Sequence, residues 1–325
     1  HSLEYRAISQ IPTVFTIHNG EYHGAFGWDK HVLLPAFEAS ASGLIDWGGG
    51  INPLASAIKC AWKVTTVSQT YLRELMEYSN GLEGLLRAEA TKCVGILNGI
   101  DADVWDPAID TYLPHHFEGD IGAFKARNKQ ALQQHFNADL DLPVITFIGR
   151  LVREKGADLI PDLIARVLNE GLGVSFMILG TGEPHIHEAL ASLQWRFTKR
   201  CAVMLAYNEG VAHQLYAGAD FLLMPSRVEP CGLNQMYSMR YGTVPIVRSV
   251  GGLRDTVIDI AEPELPGRGI RFDNFSLDDA TMAVYRAHEL YHNQAYFDQV
   301  RQRIMGVDFS WEKAAEQYIE IYEEL

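Results

Sequence analysis

The feature that most constrains the fold of this chain is a strict alternation of apolar strands and amphipathic helices between residues 142 and 248. The predicted strands are continuously apolar and cover residues 144–149, 174–180, 202–206, 221–225 and 244–248. Between them the pattern predicts helices over residues 156–169, 184–197, 209–217 and 232–240. Apolar strands joined by helices indicate βαβ crossovers, so this part predicts a parallel sheet that helices cover on both faces.

The residues before this region predict a second α/β domain. Apolar, β-branched runs over residues 14–17, 64–67 and 93–97 predict three strands, each followed by polar or turn residues. Ser68 suits the N-cap of a helix over residues 69–78. Residues 106–141 read as a connector that contains one polar helix. A length of 325 residues suits two domains.

Composition and charge exclude several function classes. Hydrophobic residues make up 47% and charged residues 21%, so global disorder is excluded. The net charge of −14 disfavours a nucleic-acid partner, although a few local cations can still bind a small phosphorylated molecule. No apolar run approaches the length of a membrane span. The cysteines Cys60, Cys93, Cys201 and Cys231 lack metal-binding spacing, which predicts reduced, buried thiols in a cytoplasmic enzyme.

The first candidate binding element is the charged run that starts at Gly149. Arg150 and Lys155 follow a predicted strand and precede a predicted helix, where free N–H groups and the helix dipole favour anions. The run therefore suits a diphosphate. A solvated charged loop is the alternative interpretation, and the run alone does not decide between them.

The second candidate is the loop over residues 225–233, which is followed by a predicted helix. Glu229 is its carboxylate, and Gly232 permits close backbone approach. Together with the following N–H groups, this suits a ligand that has hydroxyls at one end and phosphates at the other. The alternative is a glutamate that merely complements the helix dipole. A glycine pair at Gly251 and Gly252 also follows a strand, but such pairs are usually turns.

A family resemblance rests on the order of ten motifs. The chain contains FTIHNG, TTVSQTY, GLEGLL, ILNGID, GRLVREKGAD, GTGEP, PSRVEPCGLNQ, YGTVPIVR, VGGLRDTV and a closing FSW. In this order they resemble the glycogen and starch synthases (glycosyltransferase family 5) of the GT-B superfamily, over essentially the whole chain. In the wider superfamily seven residues separate the first glutamate from a second one, and the position of that second glutamate is Tyr237 here, as in the synthases.

The resemblance implies a fold and a domain organisation. The fold class is α/β, with two Rossmann-like domains that face each other across a cleft. Residues 1–107 would be the remainder of an amino-terminal, acceptor-side domain. Residues 108–309 would be the connector and the nucleotide-sugar domain, and residues 310–325 a helix that crosses back. The family's amino-terminal lysine-glycine-glycine loop is not found, so we expect an incomplete first domain and poor activity of this chain alone.

The resemblance also implies an activity, which is retaining transfer of glucose from ADP-glucose to the non-reducing end of an α-1,4-glucan. Arg150 and Lys155 would neutralise the diphosphate, Glu229 would accept hydrogen bonds from the glucose hydroxyls, and His18 would reach the sugar and phosphate. Tyr207 would lie near the nucleotide base. The full set of implied substrate-binding positions is Asn98, Tyr207, Cys231, Gly232, Leu233, Gly180, Gly182 and Gly252.

Several alternatives stay open at this point. The chain could be another GT-B transferase that uses UDP-glucose, or a non-catalytic glucan-binding relative that retains the fold. We expect no cofactor and no metal, because the cations at the strand ends would stabilise the leaving nucleotide. We find no second carboxylate for a double displacement, which favours departure and attack on the same face. The oligomeric state is left open.

Overall fold

The computed structural model describes residue 7 and residues 10–325. The chain divides into two compact units, His1–Asn98 with Glu312–Leu325, and Gly99–Trp311. Residues 99–107, which the sequence interpretation placed in the first domain, cluster with the second unit. Among the described residues, no helix is both long enough and apolar enough to cross a bilayer.

The first unit contains a parallel sheet of three strands in the order β1-β4-β5. The strands of this sheet are β1 (Val14–Ile17), β4 (Lys63–Thr66) and β5 (Cys93–Gly95). A separate antiparallel pair consists of β2 (Asp46–Trp47) and β3 (Gly50–Ile51). Its helices are α1 (Ser42–Ile45), α2 (Pro53–Cys60), α3 (Gln69–Glu77), α4 (Glu83–Ala88) and, after its first residue, α13 (Trp311–Glu323). Ser68 caps α3 as the sequence predicts, because its side chain accepts a hydrogen bond from the Tyr71 N–H.

The second unit is built on a parallel sheet of six strands in the order β11-β10-β9-β6-β7-β8. The strands are β6 (Val144–Ile148), β7 (Ser175–Leu179), β8 (Cys201–Met204), β9 (Phe221–Met224), β10 (Val244–Arg248) and β11 (Ile270–Phe272). All five strands predicted in this region are present. The sixth, β11, was missed because it has three residues and an arginine in its middle, too short for a periodic signal.

The helices of the second unit precede, connect and follow its parallel strands. They are α5 (Ile121–Ala131), α6 (Ile160–Asn169), α7 (Pro184–Arg196), α8 (Glu209–Gly218), α9 (Asn234–Arg240), α10 (Gly251–Thr256), α11 (Leu277–His292) and α12 (Gln294–Met305). Strands β7 and β9 are buried at every position, which explains their unbroken apolar sequence. Asn208 caps α8 and Ser276 caps α11 through side-chain hydrogen bonds.

The strand order fixes where a ligand can bind on this unit. Strand β6 lies between β7 and β9, so the chain proceeds to one side through β7 and β8 and later to the other through β9, β10 and β11. Such a reversal opens a crevice at the carboxyl ends of the strands on either side of it. The loops after β6 and β9 therefore lie at the expected ligand crevice.

The prediction that all cysteines are buried is wrong. Cys201 and Cys231 are buried, but Cys93 is partly exposed and Cys60 is exposed. Cys60 is the last residue of α2, and its side chain falls on the solvent face of that amphipathic helix. Burial raises the pKa of the Cys201 thiol to about 12.

Candidate active site

The candidate site centres on an ion pair between Lys155 and Glu229. Lys155 ends a short 3-10 turn after β6, and Glu229 lies in the loop after β9. The Lys155 Nζ is 2.7 Å from Glu229 Oε1 and 2.8 Å from Oε2. The Glu229 side chain is 7% exposed, whereas that of Lys155 is 25% exposed. The carboxylate is therefore shielded, and solvent reaches part of the Lys155 side chain.

Gly156 allows the two loops to approach each other. Its φ is +68°, and a Cβ at this position would lie 2.0 Å from the carbonyl oxygen of Pro225. Any other residue would push the loop after β9 away from the turn that carries Lys155. The glycine therefore sets the short distance between the ion-pair partners.

The carboxylate of Glu229 has little accepting capacity left. Besides the two contacts with Lys155, its Oε2 accepts a hydrogen bond of 2.9 Å from the Ser226 hydroxyl. A carboxylate offers about four accepting positions, so three are occupied. Glu229 can accept from one further donor in this arrangement, and from more only when Lys155 moves.

Arg227 and Asp158 hold the two loops together from the other side. The guanidinium donates to both carboxylate oxygens of Asp158, at 2.5 and 2.8 Å. These hydrogen bonds hold the pKa of Asp158 below its ordinary value. The Arg227 N–H donates to the carbonyl oxygen of Glu154 at 2.9 Å. Contacts within the protein thus hold the two loops of the site together.

The glycine pair after β10 packs against the backbone of the Glu229 loop. A Cβ at Gly252 would lie 1.8 Å from the Cys231 carbonyl oxygen, and one at Gly251 would lie 2.0 Å from that of Glu229. The Gly252 N–H donates to the Glu229 carbonyl oxygen at 3.0 Å. The role of Gly252 in this arrangement is to support the loop.

The N–H groups predicted to bind sugar and phosphate lie on the same loop. Cys231 is buried, Gly232 has a φ of +71°, and Leu233 immediately precedes α9. Within the described part of the chain, the N–H groups of Gly232 and Leu233 donate no hydrogen bond. These two donors are available to a ligand.

Arg150 differs from Lys155 in its surroundings. Its side chain is 62% exposed and contacts only Glu154, at 3.3 Å, among the described ion pairs. Because Arg150 is itself exposed and has one ion-pair partner among the described residues, it can reorient toward a ligand at little cost. It lines a cavity next to the ion pair rather than the ion pair itself.

The adjoining cavity has a volume of about 300 Å³ and lies at the carboxyl ends of β6, β7 and β8. Of the residues predicted to bind substrate, Gly180 and Tyr207 line it, and the Tyr207 side chain is 85% exposed. Gly182 does not line it, and its N–H donates to His187 Nε2 at 2.8 Å. The remaining lining residues include Trp105, Gly149, Thr181, Asn208, Glu209, Asn234 and Tyr237. An aromatic ring and polar groups around a half-open cavity suit a nucleoside.

One wall of this cavity is a column of stacked rings that the sequence analysis missed. Trp105 stacks on Tyr237 at 3.7 Å between ring centroids and on His213 at 3.9 Å. Asp110 anchors the column, since its Oδ2 lies 2.7 Å from His213 Nδ1 and 2.6 Å from the Tyr241 hydroxyl. The Trp-Asp-Pro segment at residues 105–107, inside an otherwise polar stretch, was the only signal of this wall.

Burial alone would raise the pKa of Asp110. The hydrogen bonds from His213 and Tyr241 outweigh burial, and the net pKa is below its ordinary value. Burial also raises the pKa of Tyr237 and Tyr241, so both phenols stay protonated near neutral pH. Neither Asp110 nor the two phenols therefore change charge near neutral pH.

His18 and Asn98 belong to the first unit. His18 is exposed directly after β1, and Asn98 is partly buried after β5, so both follow the carboxyl ends of that unit's parallel strands. The next residues after His18 are fixed by Tyr71, whose hydroxyl accepts from the Gly20 N–H at 2.8 Å. Their predicted contacts with donor substrate stay predictions.

The described residues contain no cluster of three or more histidine, cysteine or acidic side chains that could hold a metal ion. The positive charge near Glu229 instead comes from side chains of the chain itself, Lys155 and the more exposed Arg150. Sequence reasoning named these cations and the glutamate, but it missed Ser226, Asp158 and the ring column, which act through them.

Comparison with known proteins gives consistent matches over the whole chain. Residues 2–88 match the family described as starch synthase catalytic domain, and residues 128–294 match glycosyl transferases group 1. A glycogen synthase of Flavobacterium johnsoniae is 46% identical, over 98% of this chain and 67% of its own length. One of Anoxybacillus flavithermus is 38% identical, over 98% and 66%. The chain thus spans about two thirds of the length of these relatives.

Two solved structures place the fold. The catalytic domain of starch synthase IV from Arabidopsis thaliana, bound to ADP and acarbose, superposes with a TM-score of 0.86 at 34% identity. That match covers 96% of this chain and 66% of the other. The Anabaena protein HepE, in complex with UDP and glucose, matches at a TM-score of 0.63 and 18% identity, over 97% and 72%. The HepE likeness supports the fold alone.

Proposed function

Because the chain belongs to the glycogen synthase family of glycosyltransferases, we propose that it transfers glucose from ADP-glucose to the non-reducing end of an α-1,4-glucan with retention of configuration. The observation that carries this proposal is the Lys155–Glu229 ion pair at the carboxyl edge of the sheet, beside a cavity lined by Arg150 and Tyr207. One end of this arrangement suits sugar hydroxyls and the other suits a nucleotide.

The strand order divides the donor between two parts of the crevice. The nucleotide would occupy the cavity after β6, β7 and β8, with its base against the exposed Tyr207 ring. The glucose would lie beside Glu229, after β9. The diphosphate would then lie after β6, between Arg150 and Lys155. In this order the base, the diphosphate and the glucose of the donor occupy consecutive parts of the crevice.

Departure of the nucleotide would be assisted by charge. Negative charge grows on the diphosphate as the glycosidic bond breaks, and preformed cations stabilise it without reorganisation. The ammonium group of Lys155 has three donors, and Glu229 engages two of them. The third can reach a phosphate oxygen, and all three can when the sugar hydroxyls replace Lys155 at the carboxylate.

Exchange of partners at Glu229 would couple sugar binding to diphosphate binding. A glucose hydroxyl that donates to Glu229 competes with Lys155 for the same oxygens. Each hydroxyl bound therefore releases positive charge toward the diphosphate. We propose that the reaction needs no metal ion and that the glucan hydroxyl attacks on the face from which the nucleotide departs.

We choose ADP because the starch synthase IV catalytic domain, 34% identical to this chain, was solved with ADP and acarbose. The relatives named glycogen synthase in turn point to an α-glucan acceptor. Among the described residues, none of the four cysteines is in a disulfide, which fits the cytoplasmic location that we propose.

The test is incorporation of labelled glucose into glycogen by the full-length gene product. ADP-glucose and UDP-glucose are compared at equal concentration, with and without EDTA. We expect ADP-glucose to support transfer at least about tenfold better and EDTA to have no effect. Faster transfer from UDP-glucose would overturn the donor assignment. Glycogen binding without transfer from either donor would make the protein a non-catalytic glucan binder.

A further inference from the structure

Trp195 is the most exposed of the large hydrophobic side chains that the described residues place on the surface, at 88%. It lies near the end of α7, on the second unit. Covering an exposed indole ring with an apolar surface is favourable, because it removes apolar area from water. The next most exposed, Tyr207 at 85%, is the ring that lines the nucleotide cavity.

Trp195 borders a long groove that is separate from that cavity. Two adjoining cavities of about 490 and 380 Å³ share Phe136, Asn137 and Lys199, so together they form one continuous groove. Trp195 lines the second cavity. We call this continuous depression the Trp195 groove.

The walls of the Trp195 groove carry uncommitted amide groups. Gln130, Gln133 and Asn137 are exposed and line it, and their side chains form no hydrogen bond with the part of the chain that the structure describes. An amide group offers two donors and an acceptor, which can pair with neighbouring hydroxyls of a sugar. The ammonium group of Lys199 adds a further donor.

The backbone of the groove is fixed. Lys199 has a φ of +68°, a left-handed conformation that a lysine adopts only when its surroundings enforce it. It is held there by a bridge to Ala138 and by its carbonyl oxygen, which accepts from the Asp139 N–H at 2.6 Å. The two walls are therefore tied to each other, as in a preformed binding site.

We propose that the Trp195 groove binds an α-1,4-glucan chain and holds polymeric acceptor on the enzyme. An aromatic platform beside convergent amides matches the alternating apolar faces and hydroxyl rims of glucose residues. The groove is lined by amides, the cation Lys199 and the carboxylates of Asp139 and Asp141, so it has no excess of positive charge for a phosphorylated ligand. This inference rests on the proposed function for the identity of the polymer.

The location of the groove fits a holding role rather than a catalytic one. Lys199 precedes the edge strand β8, whereas Tyr207 follows it, so the groove and the nucleotide cavity lie toward opposite ends of one strand. The four residues of β8, Cys201–Met204, lie between the groove and the nucleotide cavity and span about 10 Å at roughly 3.3 Å per residue. A polymer bound here stays near the site without entering it, which raises its local concentration.

The test compares Trp195→Ala with Trp62→Ala in the full-length protein. Trp62 is 51% exposed on the first unit and is the matched control. Glycogen affinity is measured by electrophoresis through glycogen-containing gels, and maltoheptaose and ADP affinity by calorimetry. We expect Trp195→Ala to weaken glycogen and maltoheptaose binding at least about fivefold, while ADP affinity stays unchanged. Trp62→Ala should behave as the native protein does.

A second variant tests the amides, Gln133→Ala with Asn137→Ala, which should weaken maltoheptaose binding at least about threefold. The KM for glycogen should rise in both groove variants, whereas the KM for maltotriose should not, because a short acceptor gains nothing from being held. Unchanged glycogen affinity in Trp195→Ala would overturn the groove proposal. So would binding of cellopentaose, a β-1,4-linked glucan, as tight as that of maltoheptaose. Loss of glycogen affinity in a protein that transfers no glucose would support the groove and overturn the transferase assignment instead.

Discussion

The two edges of the six-stranded sheet carry ion pairs of the same chemistry in opposite surroundings. At the amino edge, Asp220 lies 2.8 Å from Lys129 and 2.7 Å from Arg301, and all three are at most 10% exposed. At the carboxyl edge, Lys155 is 25% exposed, although its partner Glu229 is as buried as Asp220. One arrangement is closed to solvent, and the other is open on its cationic side.

Further protein groups surround the closed arrangement. Asp220 also accepts from the Val144 N–H, and the neighbouring Lys125 donates to the carbonyl oxygens of Tyr216 and Tyr241. Burial lowers the pKa of Lys125 well below its ordinary value. The side chains of this arrangement are sealed from solvent, whereas the carboxyl edge leaves one ammonium donor and two N–H groups available. The comparison teaches that an ion pair stabilises the fold where it is sealed from solvent, and that it can bind a ligand where one partner is exposed.

Asp220→Asn should have the largest effect on folding. It leaves two buried cations without their carboxylate, which costs about 3–5 kcal/mol. Urea unfolding measures the free energy of unfolding, and ADP affinity of the folded fraction should be unchanged. A loss below about 1 kcal/mol would show that the sealed pair is not the stabilising one.

Glu229→Gln should instead reduce turnover, by at least about a hundredfold, in a protein that melts near the native temperature. The neutral amide loses the charge-assisted hydrogen bonds to the sugar that strengthen in the transition state. The exposed Glu188→Gln on α7 is the control. Near-native turnover would remove Glu229 from the reaction.

A combined variant separates structure from function at this pair. Lys155→Met with Glu229→Gln removes both charges at once. If the pair only stabilises the fold, the double variant should regain the melting temperature and the ADP affinity that Lys155→Met loses. We expect recovery of the melting temperature alone.

The sequence predicted the sheet of the second unit better than the details of its site. Unbroken apolar strands and glycine-ended loops predicted β6 to β10, and the motif order predicted the glycogen synthase family, the α/β fold class and glycosyl transfer, all of which are confirmed. The predicted donor contacts stay predictions.

The features that sequence reasoning missed depend on contacts between distant residues. Asp110 lies 103 positions from His213, and Lys155 lies 74 positions from Glu229. No local pattern indicates that a tryptophan in an apparent connector stacks between Tyr237 and His213. The glycines were found, but steric contact shows why Gly252 and Gly156 are needed, and periodicity alone does not show this.

Lys155→Ala and Arg150→Ala test whether the more exposed of the two cations contributes less to ADP binding. We expect Lys155→Ala to weaken ADP binding about 10- to 100-fold, as for a lost charge-assisted hydrogen bond. Arg150, 62% exposed, should contribute less, about 3- to 10-fold. Calorimetry with ADP measures both, and the exposed Arg127→Ala is the control. Equal ADP affinity in the variant lacking both cations would place the diphosphate elsewhere.

Acid should weaken the sealed edge in a defined pH window. Burial would raise the pKa of Asp220, but Lys129 and Arg301 outweigh it, and the pKa lies below its ordinary value of about 3.9. A lowered carboxyl pKa gives stability that is present above the unfolded value and lost as pH falls through the folded value. The free energy of unfolding should therefore drop below about pH 4, at up to roughly 1.4 kcal/mol per pH unit for this group. Constant stability from pH 5 to pH 3 would contradict the assignment.

The cysteines should show the smallest effects of all. Cys60 is exposed, whereas burial raises the pKa of Cys201 to about 12 and raises that of Cys93. A maleimide should therefore label Cys60 first, since the thiolate is the reacting form and access limits the others. Cys60→Ser should abolish the fast phase of maleimide labelling and leave turnover unchanged.

Cys231 lies in the same loop as Glu229, is 6% exposed, and its carbonyl oxygen packs against Gly252. Because it is the backbone of Cys231 that shapes the loop, Cys231→Ser should retain most turnover, and a folded variant with a tenfold loss would show that the sulfur takes part.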